Sequence, residues 1–179
     1  MDIRTAQRDV RSTFLGGFAG QLVSGVLWLA SAILATWSTP TAAIAVLVLG
    51  GVLIFPLTQG TLRLMGRPAG LPSGHPMNGL AMQAAFVLPL VLPLVGAAAL
   101  FRIDWFYPAF MVALGAHYLP FVFLYGMWQY AVLAGALVLA GLALALYVPG
   151  AFALGGWVTG ALLLSFAFVG RSAALRDGA

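Results

Sequence analysis

Apolar, uncharged runs alternate with short polar breaks along almost the whole chain. A spanning helix needs roughly 20 mainly apolar residues. Runs of that length fall at 13–37, 41–62, 78–100, 105–127, 129–148 and 151–170. The pattern predicts an all-α fold, a polytopic membrane bundle of about six transmembrane helices. The separation of the last two runs rests on Val148, Pro149 and Gly150. Outside the runs lie a segment at 1–12, a tail at 171–179 and one longer polar connection at 65–77, MGRPAGLPSGHPM. Residues 13–170 therefore read as a single transmembrane domain, with sequential helices as antiparallel neighbours across tight loops. Arg4, Arg8 and Arg11 precede the first run as in a signal peptide, but the run exceeds an h-region of about 7–15 residues and predicts a retained helix.

Composition agrees with the pattern. Of the 179 residues, 63% are hydrophobic and 7% charged, against about 25% charged in an ordinary soluble domain, so the chain has too little polar surface for a water-soluble globule. It contains no lysine, glutamate or cysteine; its ionic residues are eight arginines with Asp2, Asp9, Asp104 and Asp177. Thiolate metal sites and disulfides are excluded.

Charge fixes an orientation. The net +4 does not predict a nucleic-acid partner, because the arginines sit at the ends of apolar runs and form no patch. Arg4, Arg8, Arg11, Arg63, Arg67, Arg171 and Arg176 flank one side of a six-helix arrangement, and Arg102, beside Asp104, flanks the other. The positive-inside rule then predicts an even number of spans with both termini cytoplasmic, 1–12 and 171–179 being cytoplasmic segments. Trp37, Trp105, Tyr107 and Tyr147 fall at the outer ends, and Trp128 and Tyr130 at an inner end, as interfacial aromatics would. Small residues at fourfold spacing, Gly16, Gly20 and Ser24 on the first run and Gly156 and Gly160 on the sixth, mark helix contacts within the bundle or between copies.

Few residues inside the runs could carry chemistry. His117 lies about midway along the fourth, where ionisable groups are costly and face the bundle interior. Pro120, three residues on, frees the carbonyl of Ala116 beside it. One reading makes His117, with Tyr118, a ligand-binding or proton-relaying pocket; the other makes it a neutral histidine hydrogen-bonded to a neighbouring helix. Gln21, Gln59 and Gln83 occupy the cytoplasmic halves of the first three runs and either line a wet vestibule or hydrogen-bond between helices. Pro56, Pro89 and Pro93 are expected to break their helices, as around many transporter sites. The stretch 51–56 also resembles 115–120 in its glycine-to-proline spacing. No metal cage, haem pair, P-loop or dinucleotide fingerprint occurs, and no cofactor is expected. No intramembrane carboxylate is present to couple transport to protons or sodium.

Pro72-Ser73-Gly74-His75 is identical to the central PSGH of the type 2 phosphatidic acid phosphatases, six-helix membrane enzymes, and Arg67-Pro68 is similar to their preceding Arg-Pro. That resemblance implies a phosphate-binding loop with an acid histidine. The chain lacks the lysine that opens the family's first motif and the Ser-Arg with following His and Asp that supplies the nucleophile. Without them a phosphoryl-transfer site cannot stabilise the transferring charge, and the loop reads instead as a Pro/Gly turn into the third helix.

Three stretches, GVLIFPL at 51–57, HPMNGL at 75–80 and GAHYLPFVFLY at 115–125, resemble in order and spacing a family of small, uncharacterised bacterial integral membrane proteins grouped as a domain of unknown function. The resemblance covers residues 12–170 and implies a multi-pass protein of the bacterial cytoplasmic membrane, with attention drawn to His117 but no catalytic residue. The leading expectation is binding or transport of a small neutral or weakly polar molecule in a cavity around His117, Tyr118, Gln21, Gln59 and Gln83. The alternatives are a non-catalytic partner of another membrane protein, or of a second copy, and an enzyme acting on lipid headgroups through the 67–78 loop. Membrane lipids are partners in all three.

Overall fold

The computed structural model describes residues 2–177, whose regular elements are all helical, with no strand among them. The helices are α1 (Ile3–Phe14), α2 (Phe18–Trp37), α3 (Pro40–Gly51), α4 (Ile54–Leu64), α5 (Asn78–Phe101), α6 (Phe106–Tyr125), α7 (Gln129–Tyr147) and α8 (Phe152–Asp177). Five segments are long and apolar enough to cross a membrane: α1 with α2, α5, α6, α7 and α8. A sixth exists if α3 and α4, bent by 60° at their junction, together form one span.

The N-terminal segment, expected as a polar flank, is a helix. Asp2 caps α1, its carboxylate accepting from the Arg4 N–H at 2.7 Å and from Thr5 Oγ1 at 3.2 Å, which satisfies first-turn donors. Ala6 and Val10, four residues apart, are buried while Arg4 and Arg8 stay exposed, so α1 lies on the bundle by one apolar stripe. The first apolar run is then not one helix from residue 13. Leu15, Gly16 and Gly17 all take left-handed backbone, with φ of 50°, 62° and 83°, and α2 starts at Phe18. A Cβ at Gly16 would collide with the carbonyl of Gly170 on α8, so this position needs glycine for space as well as for its φ.

Proline does not act uniformly. Pro56 has no N–H and its ring excludes the carbonyl four residues back, that of Val52; the α3–α4 bend falls there, with tight 3.3 Å and 2.9 Å bonds from the Val52 and Leu53 N–H groups to Leu49 and Gly50. The expectation of broken helices fails for α5 and α6, which continue through Pro89, Pro93 and Pro120. Pro89 and Pro93 share a face, as their spacing requires, but that face is exposed and lines no interior.

The bundle is built on two close helix pairs. A Cβ at Gly25 of α2 would lie 2.8 Å from Leu164, one at Gly156 of α8 2.9 Å from Ala32, and one at Gly160 2.5 Å from Leu29. These contacts make α2 and α8 an intramolecular seam of small residues. Gly20 faces Thr58 of α4 instead. Gly115 of α6 meets Val138 and the Ala134 carbonyl of α7, and Gly141 of α7 meets the Pro108 carbonyl of α6. Helices α3 and α4 pack on α2, and α5 packs on α6. Between the pairs sits a core of Trp28, Phe110, Met111, Leu133, Leu137 and Leu163.

Tyr107 and Tyr130, expected at the interfaces, are core residues, whereas Trp37, Trp128 and Tyr147 are exposed. Tyr107 is held by Ser31: Ser31 Oγ donates to the Ala43 carbonyl at 2.7 Å, so its single proton is committed and Tyr107 OH donates to it at 2.5 Å. This chain ties α6 to α2 and α3.

Candidate functional site

The five polar residues singled out from sequence do not converge. His117 is half-buried on α6, its imidazole against the backbone of Ala84 on α5, and its Nδ1 has no hydrogen-bond partner among the described residues. Its ring meets Tyr118 at 5.4 Å and Phe121 at 4.9 Å, both edge-on. Gln21 is buried on α2 beside Gly170 of α8, its Oε1 without a partner. Gln59 is half-buried on α4, and Gln83 is exposed on α5. Only His117 and Tyr118 touch.

Tyr118 belongs instead to an aromatic cluster that fills the end of the bundle nearest the termini. It stacks on Tyr130 at 5.8 Å, and Tyr125 meets Tyr130 at 5.0 Å. Tyr130 OH donates to the Gly16 carbonyl at 2.9 Å, and Gly17 abuts the same hydroxyl. The left-handed turn at 15–17 thus caps the cluster. Helix α1 closes the same end: Gln7 Nε2 donates to the Phe123 carbonyl and Arg11 Nη1 to the Tyr125 carbonyl, each at 2.6 Å. Arg11 satisfies a carbonyl in the last turn of α6 and places a cation at its negative pole, while Gln7 adds a second donor to the Phe123 carbonyl, which also accepts the Gly126 N–H at 3.2 Å.

The 65–77 connection is folded on itself. The carbonyl of Pro72 accepts from the His75 N–H at 3.2 Å and from Asn78 Nδ2 at 3.0 Å. His75 is buried; its Nδ1 accepts the Met77 N–H at 3.2 Å, which places the ring proton of the neutral form on Nε2, 3.5 Å from Asp9 of α1. Arg67 Nη1 donates to the Ser12 carbonyl at 3.2 Å. The residues that resemble a phosphatase loop are those that fasten the turn to α1, which fits the reading of a turn leading into α5.

A concave surface lies elsewhere, at the Arg102 end. A groove of about 360 Å³ runs between α6 and α7 on their exposed side, floored by Pro108, Ala109, Gly141 and Ala145 and walled by Val112, Leu142 and Leu146. Small side chains on both helices at this level leave the trough unfilled, and its volume falls in the usual range for ligand sites. A smaller crevice adjoins it, sharing Trp105, Pro108 and Ala145, and carries Arg102 and Asp104. Arg102 Nη2 stands 4.0 Å from Asp104 Oδ2, and the guanidinium lies 5.8 Å from the Trp105 ring centre. Trp105 Nε1 is buried without a hydrogen-bond partner, and no side chain caps the first turn of α6. The arrangement is a polar mouth on an apolar trough. In the sequence the site shows only as a lone arginine opposite seven, next to Trp105 and Pro108; the neighbouring of α6 and α7 follows from their short connection, but the rotation that sets their small residues side by side is not written in either run.

Among the described residues no three His, Cys, Asp or Glu side chains gather into a metal cage. No curated protein and no solved structure matches the chain. A family model, Family of unknown function (DUF7010), matches residues 3–171, and the chain belongs to that family.

Proposed function

We propose that this member of a family of unknown function is a multi-pass protein of the bacterial cytoplasmic membrane that binds one amphiphilic molecule drawn from the bilayer. The tail occupies the α6–α7 groove and the polar end sits at Arg102. In this reading the bent α3–α4 pair is the sixth crossing, both termini are cytoplasmic as the arginine distribution favours, and the groove opens to the outer half of the bilayer. The observation that carries it is the continuity of an apolar trough with a charged mouth through Trp105, Pro108 and Ala145. A lateral opening suits a ligand that never leaves the lipid. The close glycine contacts of the α2–α8 and α6–α7 pairs favour holding over moving, since packed seams resist sliding.

The test is lipid mass spectrometry on protein purified in mild detergent, comparing wild type with Ala145→Phe, which fills the groove, and Leu139→Phe on the exposed face of α7. Wild type and Leu139→Phe should retain lipid and Ala145→Phe should not. Equal retention by all three would remove the reading. A second reading, a small weakly polar ligand at His117, is favoured by its unpaired Nδ1; it requires a species lost on His117→Ala and kept on Ala145→Phe.

A further inference from the structure

We infer that the mouth of the groove selects a zwitterionic phospholipid headgroup bearing a primary ammonium, a phosphoethanolamine, with its phosphodiester at Arg102 and Trp105 and its ammonium at Asp104. The inference rests on the proposed amphiphile site and adds the chemistry of its polar end.

Charge sets the first constraint. Arg102 and Asp104 contribute +1 and −1, so a net-neutral headgroup leaves no uncompensated charge beside apolar walls, whereas a purely anionic one does. The two side chains are 4.0 Å apart, at the limit of an ion pair, and partly exposed. Each therefore has hydrogen-bonding capacity left: a guanidinium carries five donors and a carboxylate about four acceptor positions.

Donors set the second. Trp105 Nε1 is a buried donor with no acceptor, and such groups are normally satisfied. The N-terminus of α6, which follows the 103–105 turn, brings the positive end of a helix dipole to the same place. Arginine, indole N–H and helix terminus together suit a phosphate oxygen.

The ammonium choice follows from what faces it. A primary ammonium donates up to three hydrogen bonds and Asp104 accepts them, while a quaternary ammonium donates none and depends on an aromatic face. The aromatic face at the mouth, that of Trp105, already has Arg102 beside it at 5.8 Å.

The experiment reconstitutes the full chain in nanodiscs of equal phosphatidylethanolamine, phosphatidylcholine and phosphatidylglycerol, then identifies the lipid that survives extraction into mild detergent. Wild type should enrich phosphatidylethanolamine about fivefold or more over the other two, a modest return for one partly exposed charge-assisted hydrogen bond. Asp104→Asn should keep a bound lipid but shift it toward phosphatidylglycerol, Asp104→Glu should restore the preference, and Arg102→Gln should lose all three. Retained lipid in the bulk proportions, unchanged by Asp104→Asn, would overturn the headgroup assignment and leave the groove standing. No retained lipid in wild type would overturn both.

Discussion

Ser31 of α2 and Tyr107 of α6 form a hydrogen-bonded chain that ends on the Ala43 carbonyl of α3, and both side chains are fully buried. The two ends of this chain differ in what their removal leaves behind. Tyr107→Phe deletes one hydrogen bond and leaves Ser31 still donating to Ala43, a loss of about 0.5–1.5 kcal/mol for a typical bond. Double-mutant cycles in membranes average about 0.6 kcal/mol for such a bond, which favours the lower part of that range. Ser31→Ala deletes both bonds and strands the tyrosine hydroxyl away from water, at about 1–3 kcal/mol. The double variant removes the stranded hydroxyl too, so it should be less destabilised than Ser31→Ala alone and close to Tyr107→Phe. The expected order is therefore non-additive, with the second substitution partly rescuing the first. Reversible unfolding in mixed micelles, followed by circular dichroism, measures all three differences. A Tyr107→Phe cost equal to that of Ser31→Ala, or a double variant equal to the sum of the singles, would refute the donor assignment and the burial argument behind it.

Four further outcomes are expected. Gly160→Val places a branched side chain where a Cβ already lies 2.5 Å from Leu29, and should cost about 1–3 kcal/mol by overpacking the α2–α8 seam; Gly135→Ala, with nothing within 4 Å, should stabilise α7 by about 0.5–1 kcal/mol in the same unfolding assay. Gln7→Ala should raise amide exchange in α1 by up to about tenfold through loss of the bond to Phe123, without affecting α8; unchanged α1 protection would mean that the apolar stripe alone holds it. Because the chain has no cysteine, single Cys substitutions report topology directly. A membrane-impermeant maleimide applied to intact cells should label Ser38→Cys and spare Ser12→Cys and Ser73→Cys, all exposed positions; the opposite pattern would invert the orientation.

The lengths and apolarity of α5, α6, α7 and α8 are readable from the chain because a run of about 20 uncharged apolar residues has few other stable states. Their observed boundaries lie within two residues of the expected ones at every end except the C-terminus of α8, which runs on to Asp177. The α1–α2 break is less visible: Gly16-Gly17 signals it, but the left-handed turn is held by Gly170 and Tyr130, residues more than a hundred positions away. The candidate site was placed by sequence at His117 and three glutamines because polar residues in apolar runs are conspicuous. The structure puts Gln83 outside and Gln21 in a different seam, since helix rotation is set by packing partners that one run cannot specify.

Two short stretches separate the two kinds of information. Residues 51–56 and 115–120 each run from a glycine to a proline five residues later, so each loses one backbone donor and crowds one carbonyl. The first bends by 60° and the second stays helical. At Gly115 the chain is pinned, with Val138 and the Ala134 carbonyl of α7 at 2.7 and 2.8 Å from a Cβ position; at Gly51 nothing lies within 4 Å. Sequence by itself determined that these segments are apolar helices and where each is weakened. Only the tertiary structure decided which weak point yields, because a missing hydrogen bond becomes a bend where no neighbouring helix holds the backbone straight.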